Sequence, residues 1–115
     1  MKSHERVVQN IKDLGGCVTS GTFLHAACML PCRAILHYTE EVDELAVATQ
    51  VVNDGGEVSC CEGQYFKASE PEDVAAALEA YADRVKSIIN GTLPSVAHRV
   101  RTDDLDSRVP FVRIV

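Results

Sequence analysis

The stretch from Asp54 to Gly91, DGGEVSCCEGQYFKASEPEDVAAALEAYADRVKSIING, constrains the fold more than any other, because its start, turn and stop signals agree with one another. Ser69 stands three residues before Glu72, the spacing of a capping box, and Pro71 falls in the first turn, where its missing N–H costs little. Val74, Leu78, Tyr81, Val85 and Ile88 then recur at intervals of three and four, and Asn90-Gly91 supplies a stop. A long helix with that stripe facing inward is the expectation. Ahead of it, Glu57–Cys61 and Gln64–Ala68 are short runs of strand formers flanking Glu62-Gly63, which predicts a hairpin feeding the helix. The Gly55-Gly56 pair closes whatever precedes it.

Upstream, Ser3–Leu14 reads as a first helix with Ser3 as cap, Val7, Val8, Ile11 and Leu14 as its apolar stripe, and Gly15-Gly16 as its end. Thr19 or Ser20 suits the cap of a second helix over 21–30, which Pro31 kinks or breaks. Residues 32–38 form a short apolar run that fits a resumed helix or a buried strand; period alone does not decide between them, and the reading leans to helix. Thr39-Glu40-Glu41 resembles a further helix start, a hydroxyl cap followed by acids at the positive end of the dipole, with the helix running through Val52. After Gly91 the chain turns β-rich, ending in RVPFVRIV: a hairpin packed on the domain, or an arm that adds a strand to a partner or to a second copy, which would make a homodimer. The expected architecture is α+β and mainly helical: three to four helices and a small β-hairpin in residues 1–91, then a β-rich C-terminal tail over 92–115.

At 115 residues the chain holds one domain. No apolar run reaches membrane-spanning length, and MKSHERVVQN lacks the apolar core of a signal peptide, so a cytoplasmic protein is expected. Five cysteines without a secretion signal point to reduced thiols rather than a disulfide framework. The formal net charge is −6, and residues 21–62 hold one base, Arg33, against seven acids, so the whole imbalance lies in the middle of the chain. Such a region repels nucleic acid and attracts a protein with a basic surface.

A helix ended by a glycine pair, a Thr-Ser start to a second helix, a third helix and then a glycine- and aromatic-bearing hairpin is the order of a winged helix-turn-helix domain. The stretch GGEVSCCEGQYFKASEPEDVAAALEAYADRVKSI resembles the wing and following helix of small phage and bacterial winged-helix proteins, with Gly56, Gly63, Tyr65, Phe66, Glu72 and Arg84 in the corresponding places. The resemblance implies a winged-helix fold and a DNA-binding regulator, in which wing Lys67 and the tail bases Arg99, Arg101, Arg108 and Arg113 would contact phosphate. The segment it would place in the major groove, EEVDELAVATQVV, exposes acids where recognition helices present Arg, Lys, Asn or Gln.

Three constellations carry candidate chemistry. His25, Cys28, Cys32 and His37 are ligand types within thirteen residues, yet their spacing is not a standard zinc knuckle, and core cysteines with surface histidines account for them better. Cys28 or Cys60 with His25, His37 or His98 could make a thiol–imidazole pair, but nothing in the spacing brings them within reach. No phosphate loop, nucleophile elbow or HExxH motif is present, so no enzyme and no cofactor is expected. Glu40, Glu41, Asp43 and Glu44 form the strongest local charge feature: a solvated helix start, or an acidic patch that occupies a partner's basic groove. Tyr65, adjacent to Phe66, suits the rim of such a surface, with Phe66 turned to the core. The expected function is a small acidic regulatory module that binds a protein partner as an inhibitor or adaptor. The alternatives are a winged-helix DNA-binding regulator and a zinc-binding or thiol redox module.

Overall fold

An antiparallel sheet centred on strand β4 (Glu44–Val52) forms the framework, and two helices lie against one of its faces. The computed structural model of the chain describes residues 2–27, 29–52, 58–60, 63–91 and 100–101, with the side chains of 58–60, 100 and 101 left aside. The elements follow in the order α1 (Ser3–Asp13), β1 (Cys17–Thr19), β2 (Phe23–Leu24), β3 (Pro31–Thr39), β4, β5 (Val58–Cys60), β6 (Gly63–Lys67), α2 (Pro71–Asn90) and β7 (Val100–Arg101). Across the sheet the order is β1-β3-β4-β6-β7, with β2 beside β3 and β5 beside β4. No helix among the described residues is long and apolar enough to cross a membrane.

Two helices and a large sheet replace the mainly helical arrangement of three or four helices that the sequence suggested. The stretch expected as the second helix contains β2 and its flanking loops, and 32–38 is strand β3. Thr39–Val52, expected as the third helix, is the last residue of β3, a four-residue turn and β4. A central strand buried on both faces reads as a continuous apolar run, so Val42, Leu45, Ala48 and Val52 matched helical spacing by coincidence. Val47, Thr49, Val51 and Val52 are β-branched and prefer the pleated backbone. Pro31 opens β3, a position where its lost N–H leaves the ladder intact. Ser20 caps no helix: its hydroxyl accepts the Ala34 N–H at 2.8 Å, and its own N–H donates to the Ala34 carbonyl at 2.9 Å.

The hairpin expected over 57–68 is also replaced. Both of its runs pair antiparallel with β4, β5 through Gln50↔Cys60 and β6 through Val47↔Gln64, so they lie in line along one edge of that strand. The register slips by one residue between them.

Both remaining helices occupy the expected stretches with corrected details. α1 starts one residue after Lys2, whose N–H donates to the Glu5 carboxylate at 3.2 Å, and buries Val8 and Ile11; Leu14 lies beyond its end and is 68% exposed. α2 has Glu70 rather than Ser69 at its N-cap and Gly91 at its C-cap with φ 69°, a left-handed conformation that glycine adopts without strain. Its buried stripe is Val74, Ala77, Ala80, Arg84, Ser87 and Ile88. Leu78, expected inward, is 41% exposed. Small residues at 77, 80 and 87 let the helix sit close to the strands, and that need outweighs the burial of one leucine.

Side chains alternate along each strand and so sort the core into two layers. Leu36, Tyr38, Leu45, Val47 and Phe66 face the helices and pack with Val8, Ile11, Val74, Ala77 and Ala80. On the opposite face Ile35, Ala46, Ala48 and Tyr65 form a second buried cluster. Each layer contains a guanidinium. Arg84 reaches under the sheet to donate to Gln64 Oε1 at 3.2 Å and to Thr49 Oγ1 at 3.4 Å, whereas Arg33 donates from Nε to Gln50 Oε1 at 2.9 Å on the other side.

Candidate functional site

The four acids sit together where β3 turns into β4. Thr39 pairs with Glu44 at the end of the ladder, which leaves Glu40, Glu41, Val42 and Asp43 as the connecting turn, all exposed, with Glu44 half-buried at the strand start. The turn closes through an Asp43 N–H donated to the Glu40 carbonyl at 3.2 Å. Asp43 adopts φ 51°, which aspartate tolerates better than most residues, and its carbonyl accepts the Ala68 N–H at 3.0 Å. Its carboxylate accepts the Tyr38 hydroxyl at 2.7 Å. These contacts set the acids on a hydrogen-bonded turn rather than at the start of a helix.

Tyr38 is held protonated by this arrangement. Burial, then the hydrogen bond to Asp43 and the charges of Asp43 and Glu40, push its pKa up to about 12. Lys12 of α1 places its ammonium 5.0 Å from the centre of the Tyr38 ring, close enough for a cation–π contact. Beside the turn a cleft of about 460 Å³ opens between α1 and the β6–α2 connection, with Lys2, His4, Glu5, Lys12, Asp43 and Ser69 among its lining. The acid ridge therefore borders a mixed-charge cleft. The sequence held no sign of this cleft, because its walls come from residues forty and sixty positions apart along the chain.

Tyr65 stands apart from these acids. It lies on β6, facing away from Phe66 as strand alternation requires, but it is 1% exposed and presents no surface to a partner in this arrangement. Lys67, on the same strand, is exposed and pairs with Glu70 at 3.7 Å. Arg101 belongs to β7, whose backbone pairs with β6, while Arg99, Arg108 and Arg113 lie outside the described residues. The groove-entering segment of the winged-helix resemblance is strand β4.

Among the described residues, the ligand types His25, Cys32 and His37 do not converge. Cys32 points from β3 toward the helices and His37 toward the opposite face, and His25 uses its Nδ1 to accept the Ala27 N–H at 3.2 Å. Cys28 lies outside the described residues. Among the described residues no group of three or more His, Cys, Asp and Glu is placed to hold a metal ion. Cys17 is opposite His37 in the β1–β3 ladder, an adjacency the sequence did not reveal. Burial pushes the Cys17 thiol up, against a smaller lowering by Arg33, so the thiolate a nucleophile needs is disfavoured. Comparison of the chain with family models, with curated proteins and with solved structures finds no match, and so neither supports nor opposes the winged-helix resemblance.

Proposed function

We infer that this chain is a small, non-enzymatic, acidic regulatory module that binds a protein partner of basic surface through the β3–β4 turn. The observation that carries the reading is the display of Glu40, Glu41 and Asp43 on one exposed, hydrogen-bonded turn, with exposed Val42 among them and Glu44 at its base. A turn whose backbone is already hydrogen-bonded presents its carboxylates to a basic groove at less ordering cost than a loose loop would.

The test is affinity capture from an extract of the native host, with partners identified by mass spectrometry, using the natural chain and the variant E40Q/E41Q/D43N/E44Q. The reading expects partners rich in Lys and Arg that the variant fails to retain. Equal capture by both chains contradicts the site. An electrophoretic mobility shift with duplex DNA at low salt and micromolar protein would instead favour the nucleic-acid alternative.

A further inference from the structure

β1 and β2 lie in line along one side of β3, through Cys17↔His37 to Thr19↔Ile35 and then Phe23↔Cys32 and Leu24↔Pro31. Ser20 and His25 donate their N–H groups inward, to the Ala34 and Leu30 carbonyls at 2.9 Å each. Strand alternation then turns the N–H groups of Thr19 and Leu24 outward, where no strand among the described residues meets them. The side chains at this edge are apolar and uncovered: Phe23, Leu24, Met29 and Leu30 are 40% to 64% exposed. Phe23 shares the helix-bearing face with Cys32, and Leu24 takes the other, so each face of the sheet ends here in an exposed apolar side chain. The segment is held in place, since Ala26 donates its N–H to the Ile88 carbonyl at 3.2 Å and Met29 to the His25 carbonyl at 2.8 Å. We propose that this edge pairs antiparallel with the same edge of a second copy, about a two-fold axis, joining two sheets through β1 and β2.

Charge singles out a second copy as the occupant. A two-fold contact sets each residue near the axis against its own copy, so a charge there faces a like charge. The chain carries a formal net charge of −6, yet Leu14 to Cys32, which contains the whole edge, holds no Asp, Glu, Lys or Arg. No other stretch of that length in the sequence is free of charge. A charged partner gains nothing from such an edge, and an identical one meets no repulsion. Sheet edges are ordinarily guarded by lysine, proline or an inward charge, and Cys17 to Leu24 contains none of these. Area agrees: at roughly 200 Å² for a large side chain fully exposed, the four leave about 400 Å² uncovered in each copy. Two copies cover about 800 Å² through these side chains, and the strand backbone brings the total to about the 1,000 Å² of a small specific interface. Strands of three and two residues suit micromolar rather than nanomolar pairing.

Sedimentation velocity of the full chain, from low micromolar to submillimolar concentration, tests this. The expected result is a monomer–dimer equilibrium that moderate salt does not weaken, because screening relieves the repulsion between two chains of like net charge. A monomer throughout the range overturns the proposal, and so does a dimer that salt dissociates. The variant L24K/L30K alters two exposed side chains and should raise the dimer dissociation constant at least about tenfold with an unchanged circular dichroism spectrum. A dimer equally tight in the variant overturns the proposal. If the variant has lost its fold, nuclear magnetic resonance on the natural chain decides. In a mixture of isotope-labelled and unlabelled copies, contacts between copies are expected at the Leu24 and Leu30 methyls, with amide exchange at Thr19 and Leu24 slowed several-fold as the dimer forms. Contacts between copies that arise elsewhere and leave those amides unprotected overturn it.

Discussion

Asp43 joins three parts of the molecule through one residue: its backbone turns β3 into β4, its carbonyl holds Ala68 at the entrance to α2, and its carboxylate holds Tyr38. Tyr38→Phe removes the last of these and should cost about 1 kcal/mol, a typical value for one hydrogen bond. The effect carries a pH signature. A tyrosine raised from 10 to about 12 in the folded state contributes stability that is complete below pH 10 and is lost as pH rises through 12. Urea unfolding of the natural chain and of Tyr38→Phe should therefore show a gap at neutral pH that closes above pH 10; a constant gap would contradict the linkage. Gly91 is the other single residue with a sharp requirement, because a Cβ there would lie 2.8 Å from the Ala27 nitrogen at a φ of 69°. Gly91→Ala should destabilise by roughly 1–3 kcal/mol in the same assay.

At the level of elements, what could be read from the sequence depended on how each segment is buried. α1 and α2 each have one buried side and clear punctuation, Gly15-Gly16 and Gly91, so their positions were legible. Strands β3 and β4 are buried on both faces, which erases the alternation that marks a strand, and their apolar runs matched a helical period instead. The partner of β6 was illegible for another reason, since strand pairing is set by neighbours distant in sequence. Within α2 the sequence favoured Leu78 over Ala77 as core, and the packing reverses that choice. Ala77→Leu should overpack the helix–sheet contact and cost about 1–3 kcal/mol, while Leu78→Ala should cost less than about 1 kcal/mol. Denaturant unfolding of the two variants separates these outcomes, and a larger loss for Leu78→Ala would contradict the placement of the stripe.

Over the whole molecule, the sheet separates two groups of charge. At one end an exposed turn collects carboxylates beside a cleft, and on the face away from the helices the buried Arg33 donates to Gln50. The acids were visible in the sequence because they are contiguous, whereas the cleft beside them, built from Lys2, Lys12, Asp43 and Ser69, exists only once the chain is folded. Protein binding through the turn predicts an interaction that is fast, salt-sensitive and dependent on side chains with no part in the core. Glu40 and Glu41 meet that description: both side chains are exposed, and Glu40 joins the turn only through its backbone carbonyl. The most direct test is the affinity of a captured partner for the natural chain and for E40Q/E41Q by titration calorimetry at low salt. The account predicts binding weaker by at least about tenfold, or about 1.4 kcal/mol, in the variant; affinities equal within about twofold would contradict it.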